Sequence, residues 1–303
     1  MRVSVLLSTY NGEKYLEQQL ESLFNQTLKD IEIFVRDDGS TDNTISILKK
    51  YEKQGLLKWY PGNNIGCTRS FWELLNTSSE ADYYAFCDQD DYWDKDKLEI
   101  AVKEIKKHNR ISEKAILYFS DVRVTDENLN VIRDKMVEVI PEDYAHALIR
   151  NLSPGCTFVF NKQARNELIK YPVEYLGNDI HDWCVYRIIA SIGKIVFDRE
   201  THMSYRQHGN NVVGANGSII KTVQKALRRV FNLQDMNRRS CFAHNLIKIY
   251  STSMSDENLE ISKDFAYYKE SYKRKINLMV NNKYKIEIFR SVYFSLLVLL
   301  NRV

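Results

Sequence analysis

The sequence is poor in cysteine and has no long hydrophobic run. Its five cysteines, among 303 residues, are odd in number and irregular in spacing, and no two of them form a CxxC pair. This pattern excludes a disulfide framework and a zinc site, and it is typical of a reducing compartment. No stretch of about 18 apolar residues occurs, and the apolar run near Met1 is too short for a secretory signal. We therefore expect a cytoplasmic protein without a spanning helix.

Neither sign of charge dominates the chain, but the charge is unevenly distributed. The formal net charge is only +3. Residues 219–303 contain 16 Lys or Arg and 7 Asp or Glu, whereas residues 1–218 contain 27 and 33. We therefore expect two parts, an acidic body at 1–218 and a basic, mostly helical region at 219–303. Such a basic region can meet anionic lipid, nucleic acid or a partner protein.

Two segments of the basic region place apolar residues beside cationic ones. Residues 219–231 predict a basic amphipathic helix, and Val292–Leu300 is an apolar run too short to span a bilayer. Peripheral contact with the inner face of the cell membrane is one interpretation. Packing on the body or an oligomer contact is the alternative. No nucleic-acid-binding motif accompanies the basic residues, so we expect no nucleic acid partner.

Short apolar runs alternate with helical patterns along the first third of the chain. Strands are predicted at 3–8, 31–35, 57–60, 83–87, 116–120 and 156–160. This rhythm predicts an α/β fold of Rossmann-like type, with a mostly parallel central sheet flanked by helices and a C-terminal helical appendage. In such sheets the ligand lies beyond the carboxyl ends of the strands. The polar loops Thr9–Gly12, Asp37–Asp42 and Asp88–Asp91 are therefore the candidate site.

The acidic loop Asp88-Gln89-Asp90-Asp91 follows an apolar strand. Three carboxylates in four residues repel one another unless a cation neutralises them. Oxygen ligands favour a hard divalent ion such as Mg²⁺ or Mn²⁺, which keeps open positions for substrate phosphates. The alternative is a solvated acidic loop that caps the helix beginning near Lys95.

A second acidic loop, Asp37–Asp42, follows another strand. Asp42 or Ser40 can cap the helix after it. Capping does not require the pair Asp37 and Asp38, however. A carboxylate at a strand end can accept the N3–H of uracil or thymine, so this loop indicates a nucleotide pocket.

Three segments, LSTYNGEKYLEQQLESL, RDDGSTDNT and CDQDDYWDKDKL, occur in this order, each at the end of a strand. Together they resemble family 2 glycosyltransferases of the GT-A fold. More narrowly, they resemble the rhamnosyltransferase-like members that build bacterial surface polysaccharides. The resemblance covers about residues 1–215, and its specificity comes from the three motifs in combination. It implies a metal-dependent, inverting glycosyltransferase.

The resemblance also implies roles for individual residues. The nucleotide-binding residues would be Thr9, Tyr10, Asn11, Asp38, Arg69 and Asp88. The first three would line the base pocket and Asp38 would bind the base edge, whereas Arg69 is equally well explained as a surface arginine at a helix start. Asp88 would face the ribose or the metal. Asp90 would be the main metal ligand and hold the ion against the diphosphate.

Two later segments supply further candidates. Asp182 matches the family's catalytic base, and Asp179 is its rival, although a carboxylate here can also cap the following helix. His181 either orients Asp182 or is merely packed. His208 would complete the metal site or contact the diphosphate, and Arg206 would face phosphate oxygens.

The implied reaction is a single in-line displacement that inverts the anomeric configuration, with Asp182 as general base. The favoured donor is dTDP-rhamnose, and the alternative is a UDP-hexose or UDP-N-acetylhexosamine. The acceptor would be a glycan or a lipid-linked glycan. A nucleotidyltransferase is a more distant alternative, because Thr9–Gly12 lacks the Gly-rich, cationic phosphate loop of those enzymes. A non-catalytic nucleotide-sugar-binding protein is disfavoured, because both Asp90 and Asp182 are present.

Overall fold

The computed structural model describes residues 1–109, 114–136, 143–151, 154–208, 237–285 and 288–303. The strands are β1 (Val3–Thr9), β2 (Ile31–Asp37), β3 (Lys58–Pro61), β4 (Tyr83–Cys87), β5 (Tyr92–Trp93), β6 (Ile116–Thr125), β7 (Val131–Arg133), β8 (Val159–Asn161) and β9 (Lys194–Arg206). The helices are α1 (Leu16–Phe24), α2 (Thr44–Lys53), α3 (Cys67–Thr77), α4 (Lys97–Asn109), α5 (Tyr144–Ile149), α6 (Lys162–Leu168), α7 (His181–Ile192), α8 (Arg238–Tyr250), α9 (Asp256–Ala266), α10 (Tyr272–Val280) and α11 (Ile288–Leu299).

The strands within these ranges form one mixed sheet. Its order is β3-β2-β1-β4-β8-β6-β9-β5, and β7 pairs with β6. The ladders β1–β2, β1–β4, β2–β3 and β6–β9 are parallel, and each is longer than any antiparallel ladder in the described part of the chain. The prediction of an α/β fold with a mostly parallel sheet flanked by helices is confirmed.

Strands β1 and β4, which are neighbours in the sheet, are buried on both faces. Residues 83–87 are buried throughout, and β1 is buried except at Ser8. Near-continuous apolar strands of this kind are typical of a parallel sheet with helices on each side. Helix α1 covers one face with Leu16, Leu20 and Leu23, which recur at helical spacing. Fully burying such a side chain stabilises the fold by about 1.5–3 kcal/mol, so the strand ends are held firmly in place.

The predicted strand at 156–160 is wrong in its first half. Residues Gly155–Thr157 form a 3₁₀ turn, and the strand begins only at Val159. The turn closes through Phe158, whose N–H donates to the carbonyl of Gly155 at 2.9 Å. Residues 155–160 are all buried, and burial alone does not distinguish a buried turn from a buried strand.

The chain divides into two compact units. One comprises Met1–Ile140, Leu152–Ile189 and Gly193–Gly209, and it contains the whole sheet. The other comprises Pro141–Asn151, Ala190–Ile192 and Asn210–Val303, and its described elements are helical.

Several expectations for the second unit concern residues outside those that the structure describes. These are the boundary at residue 218 and the basic helix at 219–231. In the parts of the chain that are described, no helix is both long and apolar enough to cross a bilayer.

Candidate active site

The three polar loops meet at one edge of the sheet. Thr9 pairs with Asp37 in the β1–β2 ladder, and Leu7 pairs with Cys87 in the β1–β4 ladder. The chain therefore leaves β1, β2 and β4 at the same edge, with β1 in the middle. The N–H of Asp38 donates to the carbonyl of Thr9 at 2.7 Å. This is the edge at which ligands bind in open α/β sheets.

Gln89 joins the loop after β1 to the loop after β4. Its Oε1 accepts hydrogen bonds from Thr9 Oγ1 at 2.6 Å and from the Tyr10 N–H at 2.9 Å, and its Nε2 donates to the Tyr10 carbonyl at 3.1 Å. A Cβ added at Gly12 would lie 2.3 Å from Gln89 Oε1. Glycine is therefore needed at position 12 for Gln89 to reach Thr9. Sequence analysis missed this residue, because its neutral amide lies within a run of carboxylates.

Asn11 connects the first loop to the second. Its Oδ1 accepts from the Thr41 N–H at 2.8 Å, and its own N–H donates to Ser40 Oγ at 2.9 Å. Ser40 in turn donates through its hydroxyl to Asp37 at 2.5 Å. Asp42 takes the helix-start role, since its Oδ1 accepts from the N–H of Thr44, the first residue of α2, at 3.0 Å. The polar side chains of these loops thus position one another.

Asp38 is almost fully buried beside a cation. Its carboxylate forms an ion pair with Arg36 and accepts from the backbone N–H groups of Ile65 and Gly66, each at 2.9 Å. An ionised carboxylate offers about four acceptor positions, so these three donors leave roughly one. Tyr10, by contrast, is 46% exposed at the edge of this loop cluster.

Asp90 and His208 lie side by side. His208 Nε2 is 2.6 Å from Asp90 Oδ2, and both side chains are less than one fifth exposed. The His208 ring also packs on Tyr15, with 5.1 Å between ring centroids. The two residues come from β9's C-terminal end and from the loop after β4, so the fold brings together two predicted metal ligands that are distant in sequence.

Asp88, Asp91 and Cys156 form a second group, whose ligand atoms all lie within 4.8 Å of one another. Burial, followed by the charges of Asp90 and Asp182, raises the pKa of Asp88 to about 7. Burial also raises the pKa of Asp91 well above its usual value.

The side chains of Asp88, Asp90, Asp91 and His208, here called the acidic cluster, offer ligand atoms that fit a divalent cation. Oδ2 of Asp91 is buried and has no hydrogen-bond partner among the described residues. Carboxylate oxygens and an imidazole nitrogen are ligands that Mn²⁺ accepts, and carboxylates are the preferred ligands of Mg²⁺. A cation bound between Asp88, Asp90 and His208 would relieve the repulsion that raises the pKa of Asp88.

Arg206 is buried, and its guanidinium is held by protein acceptors next to Asp90. It is only 1% exposed. Its guanidinium donates to the Asp90 carbonyl at 2.7 Å, to Gln18 Oε1 at 2.5 Å and to the Glu127 carbonyl. The guanidinium thereby fixes the backbone of Asp90, and a contact of Arg206 with phosphate oxygens stays a prediction.

Asp182 lies in the first turn of α7, where its Oδ1 accepts from the Trp183 N–H at 2.6 Å. The helix N-terminus favours its ionised form. A Cβ added at Gly155 would lie 3.1 Å from Asp182 Cβ, so the 3₁₀ turn and the start of α7 approach closely. The negative charge of Asp182 contributes to the raised pKa of Asp88. The carboxylate of Asp182 is therefore close enough to Asp88 for its charge to act there.

His181 is packed in the core beside Asp182. Its ring stacks on Phe71 with 4.2 Å between centroids and meets Phe86 edge-on. Burial lowers the pKa of His181 to about 3, so the ring is neutral. Its Nδ1 is 3.7 Å from Cys67 Sγ. Of the two interpretations of His181, the structure favours the packed one.

Asp179, the rival for the catalytic role, is engaged elsewhere. Its carboxylate forms a buried ion pair with Arg187. The guanidinium also lies over the Trp183 ring, 4.1 Å from its centroid. A carboxylate paired with a buried guanidinium is a weak proton acceptor, because its negative charge is already stabilised.

Cys67, the first residue of α3, lies near several of the candidate carboxylates. The pKa of its thiol is raised, first by removal of water from the sulfur and then by nearby negative charge. The carboxylates that supply this charge are those of Asp88, Asp182, Asp38 and Asp90. Arg69, in the same helical turn, is exposed. The base-edge, metal and general-base candidates are thus all close enough to Cys67 for their charges to act on its thiol.

A family model described as glycosyl transferase family 2 matches residues 4–164, more than half of the chain. The chain belongs to glycosyl transferase family 2. It is therefore a glycosyltransferase. Over 239 residues it is 34% identical to the dTDP-rhamnosyl transferase RfbG of Shigella flexneri, an alignment that covers 75% of this chain and 79% of the relative. An uncharacterized glycosyltransferase of Nostoc sp. is 30% identical over 226 residues, or 70% of this chain and 66% of the relative.

Two solved structures show the same architecture. S. aureus TarS 1–349 in complex with UDP-GlcNAc is similar with a TM-score of 0.57 and 17% identity, over 98% of this chain and 90% of that one. The mannosyltransferase PcManGT from Pyrobaculum calidifontis, in complex with GDP-Man and Mn²⁺, gives a TM-score of 0.50 and 15% identity, over 99% and 86%. At these identities the likeness establishes the GT-A fold.

Proposed function

We propose that this glycosyltransferase is metal-dependent and inverting, and that it transfers L-rhamnose from dTDP-rhamnose to a hydroxyl of a glycan or lipid-linked glycan in surface polysaccharide synthesis. The convergence of Asp182 with Asp88 and Asp90 carries the proposal for the reaction. The likeness to RfbG supports the choice of donor.

Asp182 acts as the general base. It takes the proton from the acceptor hydroxyl while that oxygen forms a bond to the anomeric carbon. The bond from that carbon to the diphosphate breaks on the opposite side, and the nucleoside diphosphate leaves with the electron pair. One displacement of this kind inverts the configuration.

Asp90, Asp88 and His208 hold a divalent cation in this proposal. When bound there, Mg²⁺ or Mn²⁺ would neutralise the negative charge of the diphosphate leaving group. Arg206 keeps Asp90 in place through the hydrogen bond to its carbonyl.

The nucleotide lies over the loops that follow β1 and β2. Asp38 offers its remaining acceptor position to the base edge, and exposed Tyr10 offers a ring face on which the base can stack. Thr9 and Asn11 shape this pocket through the hydrogen bonds described above. Arg69 is exposed and long enough to reach a bound nucleotide, and we assign it to the donor site on that ground.

We place the reaction in the cytoplasm. All five cysteines are free, which suits a reducing compartment.

The test is a donor screen that measures nucleoside-diphosphate release from dTDP-rhamnose, UDP-glucose, UDP-galactose and UDP-N-acetylglucosamine, with and without EDTA. We expect nucleoside diphosphate to be released only from dTDP-rhamnose, and only in the absence of EDTA. Release only from a UDP-sugar would replace the donor and keep the reaction type, an outcome for which the UDP-GlcNAc complex of the structurally similar TarS gives a precedent. Undiminished release in EDTA would exclude metal dependence.

A further inference from the structure

Two helices of the second compact unit, called the C-terminal unit below, present apolar stripes to solvent. On α10 the exposed residues Tyr272, Ile276 and Val280 recur every fourth position, and Tyr272 is 88% exposed. On α11 the residues Val292, Leu296 and Leu299 are exposed, and so is Leu300, which directly follows the helix. Each set occupies one face of its helix.

These stripes are distinct from the faces that form the core of this unit. Leu278 of α10 and Leu297 of α11 are buried, as are the neighbours of Leu297 at 294 and 298. The two helices pack against each other. Lys275 links them, since its Nζ donates to the Leu299 carbonyl at 3.2 Å. The exposed apolar residues therefore belong to a folded helix pair, and clustered apolar residues exposed to solvent are typical of interaction sites.

Cationic residues are frequent in the segment that carries the stripes. From Lys269 to Arg302 the sequence contains eight Lys or Arg and two Asp or Glu. Lys269, Lys273 and Lys285 are exposed. An apolar face bordered by cations matches the boundary between headgroups and acyl chains in an anionic leaflet.

We propose that the paired stripes of α10 and α11 form a membrane-binding surface that lies in the plane of an anionic leaflet. The helices have 9 and 12 residues, which is enough to lie in the interface and too few to cross it. A second copy of the chain is the competing occupant. A two-fold contact through the same surface would place like charges opposite one another, so the charge pattern favours an anionic lipid surface.

The experiment is flotation of the full-length protein with two kinds of vesicle, phosphatidylcholine alone and phosphatidylcholine with about one third phosphatidylglycerol. The stripe variant is Ile276→Glu with Leu296→Glu. The matched control is Val131→Glu with Ile132→Glu, which adds the same charges at exposed apolar positions of β7 in the other unit. Because all four positions are exposed, we expect both variants to fold, and circular dichroism and a thermal melt check this.

We expect the wild type and the control to float with anionic vesicles and the stripe variant to stay at the bottom of the gradient. High salt and neutral vesicles should weaken flotation, because each lysine near an anionic surface strengthens binding roughly fivefold. The double variant Lys273→Glu with Lys285→Glu should therefore lower the apparent affinity for anionic vesicles by at least about tenfold. This loss would support the proposal even if the stripe variant fails to fold.

Three results would overturn the proposal. They are a wild type that stays at the bottom with anionic vesicles, a stripe variant that floats as well as the control, and a wild-type dimer that the stripe variant converts to a monomer without any flotation. The last result would assign the surface to a second copy of the chain.

Discussion

The hydroxyl of Thr9 donates a 2.6 Å hydrogen bond to Gln89 Oε1, and this bond joins the loops that follow β1 and β4. The bond therefore connects the loop that we propose for the nucleotide with the loop that we propose for the metal. Removing the amide leaves the Thr9 hydroxyl and the Tyr10 backbone without this partner, at a cost of about 1–3 kcal/mol for each buried polar group that is not resolvated.

We expect Gln89→Ala to raise KM for the donor about tenfold or more while the fold is retained, because the loops around the nucleotide lose their connection. Steady-state kinetics with varied donor concentration measure this. Gln54→Ala, at an exposed position after α2, is the control. Gly12→Ala should mimic Gln89→Ala, and combining the two should add little, since both remove the same contact. Fully additive losses would contradict this account.

Asp182→Asn should lower kcat by about 10²–10⁴, because the amide cannot accept the proton from the acceptor hydroxyl. Donor affinity should change little. Product formation under donor and acceptor saturation is the measurement.

Asp179→Asn provides the matched comparison at the other end of the same motif. It breaks the buried ion pair with Arg187, which typically costs about 3–5 kcal/mol of stability. We expect a lower melting temperature and a largely retained kcat for the folded enzyme. If Asp179→Asn abolishes turnover and Asp182→Asn does not, the two roles are reversed.

His208→Ala should increase the Mg²⁺ or Mn²⁺ concentration needed for half-maximal activity by about 10- to 100-fold, a range typical of weakened metal sites. A metal titration after EDTA treatment measures the shift. His202→Ala is the matched control, because His202 lies on β9 shortly before His208 and also contacts a carboxylate, that of Asp198, at 3.0 Å. Equal shifts in both variants would argue against His208 as a ligand.

The stability of the C-terminal unit should depend on the protonation of His146. Its Nδ1 lies 2.6 Å from Asp143 Oδ1, and its Nε2 lies 2.9 Å from the Lys285 carbonyl. The hydrogen bond to Asp143, opposed by burial, raises the pKa of His146 above 6.5. A raised pKa means that the folded state binds the proton more tightly than the unfolded state does.

This contribution is therefore complete below pH 6.5 and is lost as the pH rises through the pKa of the folded state. We expect the difference in unfolding free energy between wild type and His146→Gln to shrink across that interval. Denaturant unfolding between about pH 5.5 and 8.5 measures it. Parallel pH profiles for the two proteins would contradict the assignment.

The sequence predicted those features that local pattern determines. Apolar runs located β1, β2 and β4 to within two residues, and the strand-end rule placed Asp38, Asp88 and Thr9 together. It did not reveal Gln89 or the engagement of Arg206, because their partners are distant in the chain and depend on tertiary packing. The membrane prediction for the C-terminal region named an apolar run, but only the structure separates its exposed residues from its buried ones.

The same limit applied to the choice between Asp179 and Asp182. Both lie in one short motif, and either could start the helix. The choice follows from Arg187, which lies one or two helical turns later and pairs with Asp179 only when α7 has formed.

Asp90 and His208 are 118 residues apart in sequence. Once β4 and the loop Asp88–Asp91 have been synthesised, nearly all residues of the proposed nucleotide pocket are present. His208, the partner of Asp90, has not yet been made. The nascent chain therefore cannot assemble the Asp90–His208 pair until the end of β9 has emerged. In our proposal a cation can therefore be held by Asp90 and His208 only after β9 is complete.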